Sequence, residues 1–293
     1  MAVIGCGRWG RRIVADLRSL GAPVVVVDPS PEVGADVPDV AALSGLEPVD
    51  GVVVATPAAT HLRSLREVAA LDVPVFCEKP LAPSVADARA AVDLLGDRLH
   101  LMHIWRYHPG VELLGAVARG GRIGTVLGLR TVRTGWTSPR TDVDAVWTLV
   151  PHDLSLAIEV LGAIPEPRAA LAEVHDGRAV GLWAQLGGSG APFLAVEAST
   201  RFGDKRREIR VHGSEGVAVL RDPDDHEVVL ELGRDAAPRI ERIPFAPDPP
   251  LRRELAAFLD HVGGGPAPRS SAQEGLEVVA VIEQLRALAG LAP

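Results

Sequence analysis

Three glycines near the start of the chain have a spacing that can bind phosphate. Gly5, Gly7 and Gly10 are spaced G-x-G-x-x-G, after a short apolar run and before an apolar-periodic segment. Between a strand and a helix, such glycines permit a tight turn, the approach of a pyrophosphate and close helix packing. N–H groups at the helix start then bind the phosphates. The alternative is an ordinary glycine-rich turn. With Arg8 and Trp9, these glycines form a predicted dinucleotide-binding segment.

Asp28 supplies a second signal for the same kind of site. It ends the apolar run Pro23–Val27, 18 residues after Gly10. A carboxylate at this distance can bind ribose hydroxyls. Pro29 follows it rather than an arginine, and a free acid would repel a 2′-phosphate. The sequence therefore favours NAD over NADP, and the alternative is that Asp28 is only a turn residue.

Short apolar runs alternate with helical segments as far as about residue 104. This alternation predicts βαβ units and a parallel sheet. The predicted strands are Val52–Ala55, Val73–Cys77 and Leu99–Ile104, and the predicted helices are His61–Leu71 and Ser84–Leu95, the latter with Ser84 as its N-cap. Ligands of such sheets gather at the C-terminal strand ends. The residues just past those ends are Thr56, Pro57, Glu78, Lys79 and Arg106.

The pattern changes near Tyr107. A connecting helix, Pro109–Arg119, is followed by longer β-type runs without regular helices between them, which predicts a mainly antiparallel sheet. The predicted strands are Thr125–Val132, Ala169–Val174, Ala179–Leu186, Phe193–Ser199, Arg207–His212, Gly216–Leu220 and Glu227–Leu232, and the predicted helices are Val150–Leu161, Leu251–Val262 and Gln273–Leu291. We expect an α/β chain: a Rossmann domain with a doubly wound parallel sheet at 1–107, then an α+β domain at 108–293.

Two side chains could move a proton. Lys79 follows a buried strand and can hydrogen-bond a substrate hydroxyl, although a surface lysine in a turn is the alternative. His152 follows Pro151 and is predicted to open a helix, where it can accept a hydroxyl proton or only bond to backbone. Asp153 would then lie in the first helical turn and could simply complement the helix dipole.

A polar cluster follows the strand at 99–104. His103 and His108 have no supporting cysteine or acid, and their spacing is not a recognised zinc spacing, so we expect no metal. Trp105, Trp136 and Trp147 could line a sugar site or pack in the core.

Composition narrows the class of protein. The 293 residues are enough for two domains, and 47% hydrophobic residues are normal for a globular core. A net charge of −8 without a basic block argues against nucleic acid and anionic membranes. Cys6 and Cys77 are expected to be buried reduced thiols. We expect no signal peptide and no membrane span, and the reduced thiols suit a cytoplasmic location.

The chain resembles the Gfo/Idh/MocA oxidoreductases, the glucose–fructose oxidoreductase and inositol dehydrogenase group. The matching pieces run in the family order and span nearly the whole chain. They are VIGCGRWG, VVVATPAATH, VFCEKPLA, WRYHPG, GRIG, PHDLSLAIEVLG, VHGSEG and the tail L..ELAAFLDHV…P. The resemblance implies NAD(P)-dependent hydride transfer on a sugar, a keto-sugar, a cyclitol or a nucleotide-linked sugar.

The resemblance also implies roles for particular residues. Lys79 matches the EKP lysine near nicotinamide and substrate, and His152 matches the usual acid/base. Glu78 matches a residue near the nicotinamide ribose. Thr56, Pro57 and His61 match the loop that walls the cofactor. Expected substrate contacts are Arg106, Tyr107, Trp147 and Asp153.

One position departs from the family pattern. Thr148 stands where the family often has an aspartate, four residues before the histidine, and Asp142 or Asp144 could replace that carboxylate. Two other functions therefore stay open: an enzyme that retains NAD for redox-neutral elimination or epimerisation, and a non-catalytic NAD-binding regulatory protein. The open face of the second sheet predicts a homodimer or homotetramer.

Overall fold

The computed structural model describes residues 1–45, 48–136, 142–233 and 237–292. The chain forms two compact units. The first comprises Met1–Ile104 and Pro249–Val279, and the second comprises Trp105–Asp248 and Ala280–Pro293. This division differs from the predicted domains 1–107 and 108–293, because a C-terminal segment packs with the first unit.

The first unit contains a five-stranded parallel sheet. Its strands and helices are β1 (Ala2–Ile4), α1 (Arg8–Ser19), β2 (Val25–Val27), β3 (Val52–Val54), α2 (His61–Val68), β4 (Val75–Glu78), α3 (Val85–Leu95) and β5 (Leu99–Met102). The strand order is β2-β1-β3-β4-β5. The order reverses between β1 and β3, which is the switch point of a doubly wound sheet. The predicted Rossmann fold is confirmed.

Apolar strands and one-sided helices build this unit. The valines of β3 are fully buried, as expected for a parallel strand covered on both faces. Helix α1 buries Ile13, Val14 and Leu17, which are spaced along one stripe. Ser84 caps α3, as predicted, by accepting a hydrogen bond from the Asp87 amide at 3.1 Å.

A C-terminal helix completes the core of the first unit. Helix α6 (Pro250–Val262) follows the strands of the second sheet in sequence, and α7 (Ala272–Leu288) follows α6. Leu255 and Phe258 of α6 join a buried cluster with residues of α1 and β4. The Phe258 ring stacks on Phe76 at a centroid distance of 4.7 Å. Tail residues therefore help to fix the strand that carries Glu78.

The second unit contains an eight-stranded sheet. Its elements are α4 (Pro109–Arg119), β6 (Val126–Thr134), α5 (Ala145–Leu161), β7 (Pro167–His175), β8 (Arg178–Gly188), β9 (Ala191–Ser199), β10 (Arg206–Gly213), β11 (Gly216–Leu220), β12 (Glu227–Leu232) and β13 (Arg239–Pro244). The strand order is β13-β12-β11-β10-β6-β9-β8-β7, with only β6 and β9 parallel among these pairs. The expected mainly antiparallel sheet is confirmed, and β13 is an additional edge strand.

The two faces of this sheet differ. Helix α5 packs against β6, β8 and β9. Leu182 and Leu186 of β8 are buried, whereas Trp183 between them is 42% exposed. This alternation leaves an open face on β7 and β8. Among the described helices, none has the length and apolarity needed to cross a membrane. Cys6 and Cys77 are buried free thiols, as expected.

Candidate active site

The three glycines of the first loop meet different surroundings. Gly5 has φ +89°, and a Cβ there would lie 2.9 Å from the Thr56 nitrogen. A Cβ on Gly10 would lie 2.1 Å from the Gly5 oxygen, so only glycine fits where α1 crosses the loop. Gly7, the N-cap of α1, has nothing within 4 Å of that position. The loop therefore leaves open space at the helix start, where a phosphate group binds N–H donors.

Asp28 is held at the end of β2, beside this loop. Its Oδ2 accepts a hydrogen bond from the Cys6 amide at 2.7 Å, and its Oδ1 accepts one from the Ser30 amide at 2.9 Å. A carboxylate oxygen can accept more than one hydrogen bond. Both oxygens therefore retain capacity for ribose hydroxyls.

Glu78 links β4 to the first turn of α1. The Trp9 indole N–H donates to Glu78 Oε1, and the Lys79 amide donates to Oε2 at 3.1 Å. These donors favour the charged form of the Glu78 carboxylate. The half-buried Lys79 follows directly, at the C-terminal edge of the sheet.

His61 holds together the loops that follow β3 and β4. Its ring is buried, with Nδ1 2.8 Å from the Pro80 oxygen and Nε2 3.0 Å from the Thr56 oxygen. Thr56 also pairs its hydroxyl with Ser64 at 3.4 Å. Pro57 caps the short 3-10 turn that leads into α2. His61 thus contacts the loops through their backbone.

The first unit has the residues needed to hold a dinucleotide. The glycine loop would bind the pyrophosphate and Asp28 the adenosine ribose, on one side of the switch point. Glu78 and Lys79 lie on the other side of the switch point, at the end of β4. All predicted cofactor residues lie at or after the C-terminal strand ends of this sheet: Gly5, Gly7, Arg8, Trp9, Gly10, Asp28, Thr56, Pro57, His61, Glu78 and Lys79.

His152 lies inside a helix of the second unit, which corrects its predicted place at a helix start. Helix α5 begins at Ala145, and Asp144 is its N-cap, accepting hydrogen bonds from the amides of Val146 and Trp147. Pro151 therefore lies within the helix. It has no N–H to donate to the carbonyl four residues earlier, and its ring crowds that carbonyl, whereas a proline in the first turn of a helix interrupts no backbone hydrogen bond. Proline at the first helical turn is the commoner placement, and this explains the wrong prediction.

A buried ion pair lies next to His152. Asp153 is fully buried, with its Oδ1 3.3 Å from Arg133 Nη2. Burial raises the pKa of Asp153, and the Arg133 guanidinium opposes that rise. Arg133 also lies over the Trp105 ring at 4.6 Å, and the Trp105 ring meets His152 edge-on at 6.4 Å. Asp153 is thus not the first-turn residue predicted, but the partner of an arginine on β6.

The other predicted substrate contacts are also buried and have internal partners. Arg106 pairs with Glu159 of α5 at 3.2 Å. Tyr107 is 3% exposed. The Trp147 ring is 4% exposed and lies 5.7 Å from the Arg286 guanidinium. These contacts position α5 within the second unit, and a role of these side chains toward substrate stays a prediction.

Asp144 and the histidine cluster have structural partners. Asp144 accepts a hydrogen bond from Arg286 at 2.6 Å in addition to its cap contacts. His108 caps α4 through the Gly110 amide, and its Nε2 lies 3.0 Å from the Pro223 oxygen. Across the described ranges of the chain, no group of three His, Cys, Asp or Glu side chains could hold a metal ion.

Arg133 and Glu254 are buried charged residues that were not predicted from the sequence. Arg133 lies on a strand and has no local signal, because its partner is 20 residues away. Glu254 could have been recognised from the sequence, because it is an acid on the buried side of α6, beside Leu255 and four residues before Phe258. A charged residue on the apolar stripe of an amphipathic helix is unusual and marks a candidate site.

Comparisons with known proteins agree with this geometry. Residues 1–103 match the family described as oxidoreductase family, NAD-binding Rossmann fold. The chain is 27% identical to UDP-N-acetylglucosamine 3-dehydrogenase of Acidithiobacillus ferrooxidans, covering 97% of this chain and 95% of that protein. It is 25% identical to 2,7-anhydro-N-acetylneuraminate hydratase of Mediterraneibacter gnavus, over 75% of this chain and 66% of that protein.

Solved structures have the same fold. The structure of UDP-N-acetylglucosamine 3-dehydrogenase from Acidithiobacillus ferrooxidans superimposes with a TM-score of 0.84 at 23% identity, covering 98% of this chain and 96% of that one. Levoglucosan dehydrogenase in complex with NADH and levoglucosan gives 0.84 at 18% identity, covering 99% and 96%. The solved structures establish the fold, and the match of residues 1–103 together with the dehydrogenase relative identifies an NAD-binding oxidoreductase of the Rossmann class. Residues 1–103 match the Gfo/Idh/MocA family of oxidoreductases, and the dehydrogenase relative described above is similar to the chain over nearly its whole length.

Proposed function

We propose that this oxidoreductase is an NAD-dependent dehydrogenase or reductase acting on the CH–OH or C=O group of a sugar-like substrate. The substrate class is a sugar, a keto-sugar, a nucleotide-linked sugar or a cyclitol. The proposal of a dinucleotide cofactor rests on the glycine loop, which is open at Gly7 and has Asp28 fixed beside it. The relative that aligns with 97% of the chain is named for a nucleotide sugar, which supports the substrate class.

Asp28 is the reason that we propose NAD rather than NADP. Its carboxylate is fixed at the end of β2 by the Cys6 and Ser30 amides. A negative charge there accepts hydrogen bonds from ribose hydroxyls and repels a 2′-phosphate.

Lys79 and His152 are the proposed proton-handling residues. NAD, when bound, supplies the group that accepts or donates the hydride. In the oxidation direction, His152 accepts the hydroxyl proton as the C=O bond forms, and it returns that proton in reduction. Lys79 donates a hydrogen bond to the reacting oxygen and stabilises the charge that develops on it. Thr148 stands where an aspartate is usual, so the proposal rests on these two residues.

An initial-rate assay tests this function. The protein is mixed with NAD⁺ and UDP-N-acetylglucosamine, other nucleotide sugars, free sugars or inositol, and the absorbance of reduced nicotinamide is followed. Lys79→Ala and His152→Ala should each lower kcat roughly 10²- to 10⁴-fold, with NADH affinity near that of the parent.

The chain offers matched controls for both variants. Lys205 is the second of its two lysines, and His175 is a largely exposed histidine. Lys205→Ala and His175→Ala should retain parent rates. Parent turnover by Lys79→Ala or His152→Ala would remove that residue from the proposed chemistry.

One relative favours a second candidate function. The Mediterraneibacter gnavus protein is named a hydratase, and hydration involves no net oxidation. An enzyme of this kind would retain NAD and form product without accumulating NADH. Product detected by mass spectrometry, with no change in nicotinamide absorbance, would favour this function over the dehydrogenase.

We also propose a cytoplasmic homo-oligomer, either a homodimer or a homotetramer. The open face of β7 and β8 exposes Leu171 (64%) and Trp183 (42%), which are paired across the two strands. They border a shallow depression of about 430 Å³. A second copy of this sheet would remove that apolar surface from water.

A further inference from the structure

A buried acid of helix α6 is not used by the proposed chemistry. Glu254 is fully buried, and its neighbour Leu255 belongs to the apolar cluster of the first unit. Among the described residues, neither carboxyl oxygen of Glu254 has a hydrogen-bond partner of normal geometry. Burying a carboxylate without a partner is costly, so a buried acid in this state holds its proton.

Glu254 lies at the Glu78 end of β4, because Glu78 and the backbone amide of His103, which follows β5, both act on its carboxyl group. Phe258 stacks on Phe76, and Glu254 lies one turn before Phe258 on the same helix face. Glu78 stands two residues after Phe76, at the end of the strand. Burial raises the pKa of Glu254 well above its ordinary value, repulsion by Glu78 raises it further, and the His103 amide opposes the rise.

The surroundings of Glu254 decide which of the two acids is charged. Helix α1 faces α6 with apolar residues such as Ile13 and Leu17. Strand β4 ends in Glu78 and continues into Lys79, and His103 follows β5. Glu78 accepts hydrogen bonds from Trp9 and from the Lys79 amide. The negative charge of the pair therefore resides on Glu78, and the proton on Glu254.

This pair lies in the half of the sheet that would receive the nicotinamide. Asp28 and the glycine loop mark the adenosine side, at β2 and β1. Strands β4 and β5 lie across the switch point. The oxidised nicotinamide ring carries a positive charge that the reduced ring lacks. A unit charge within about 8 Å changes the pKa of a buried acid by roughly one unit or more.

We propose that Glu254 holds its proton in the free protein and in the NADH complex, and releases it to solvent when NAD⁺ binds. The inference rests on the proposed function only in requiring that both nucleotides bind. Glu254 acts here as a positioning residue: its charge follows the oxidation state of the cofactor and stabilises the oxidised form. After hydride transfer, Glu254 takes a proton back from solvent, so protons balance over the cycle.

Calorimetric titration in two buffers of different ionisation enthalpy tests the inference. NAD⁺ and NADH are each titrated at pH 7 to 8, and the buffer dependence of the heat gives the protons exchanged. We expect the parent to release up to about one more proton with NAD⁺ than with NADH. Glu254→Gln, which is always neutral, should abolish the difference and weaken NAD⁺ relative to NADH by about tenfold.

Glu277 provides the matched control. Burial raises the pKa of this α7 acid too, but the charged neighbour that raises it is Glu274 rather than Glu78. Glu277→Gln should therefore keep the parent proton difference.

Each outcome of the titration is decisive. Failure of both nucleotides to bind overturns the proposed function. Binding of both with equal proton release by the parent overturns this inference alone, whether or not Glu254→Gln folds. A proton difference that survives Glu254→Gln assigns the effect to another residue.

Unfolding gives an independent readout without cofactor. A raised pKa in the folded protein means that stability is lost as pH rises above 4.5, the ordinary value. The ratio of the unfolding constants of the parent and Glu254→Gln should therefore grow up to tenfold per pH unit between that value and the pKa of Glu254 in the folded protein, and level off above it, with the variant the more stable. A pH-independent ratio would show that Glu254 is not the proton-holding acid.

Discussion

Asp28 combines a structural contact and a proposed binding contact in one carboxylate. Its Oδ2 holds the Cys6 amide of the glycine loop, and its negative charge is the basis for preferring NAD. Asn at this position keeps an oxygen acceptor and removes the charge. The two contributions can therefore be separated by a single substitution.

We expect Asp28→Asn to weaken NADH binding about tenfold and to leave NADPH binding equal or tighter, because repulsion of the 2′-phosphate is lost. Titration of both nucleotides measures the ratio. Asp36→Asn is the control, since Asp36 Oδ2 accepts a hydrogen bond of the same length, 2.7 Å, from the Val26 amide of β2. It should leave the ratio unchanged. An unchanged ratio in Asp28→Asn would contradict the proposed choice of NAD.

Helix α5 depends on contacts at its first turn to hold His152 and Asp153. Asp144 caps the helix through the amides of Val146 and Trp147, and its other oxygen binds Arg286 at 2.6 Å. The Thr148 hydroxyl donates to the Asp144 carbonyl at 2.9 Å. The residue that departs from the family pattern thus strengthens the start of the helix.

Asp144→Ala should lower the free energy of unfolding by about 2 kcal/mol, because it removes a cap and leaves the poorly exposed Arg286 without this partner. Urea unfolding followed by circular dichroism measures the loss. Asp144→Asn keeps a cap acceptor and removes only the charge, so its loss should be smaller. A parent-like stability for Asp144→Ala would contradict the importance of this helix start.

At the scale of the whole molecule, the open sheet face decides assembly. We expect Trp183→Glu to convert the proposed homo-oligomer to smaller species, because it places a charge in the apolar face that a second copy would cover. Light scattering after size-exclusion chromatography measures the mass. Phe202→Glu is the control, as Phe202 has the same 42% exposure but follows β9 outside the strands. A parent protein that is only monomeric would contradict the proposed homo-oligomer.

Features that depend only on neighbouring residues could be predicted from the sequence. The glycine spacing, the alternation of β3, α2, β4, α3 and β5, and the Ser84 cap are local, because each is a matter of turn conformation or of one face of one element. The family resemblance added the candidate pair Lys79 and His152. These predictions needed no knowledge of which elements are in contact.

Contacts between residues far apart in the sequence could not be predicted and are seen only in the folded chain. His152 lies in the interior of α5 rather than at the predicted helix start, and Asp153 pairs with Arg133. Helix α6 packs against α1 and β4, and this packing buries Glu254 near Glu78. The physical reason is that a buried charge acquires its partner and its pKa from packing between distant segments. No local pattern records that packing.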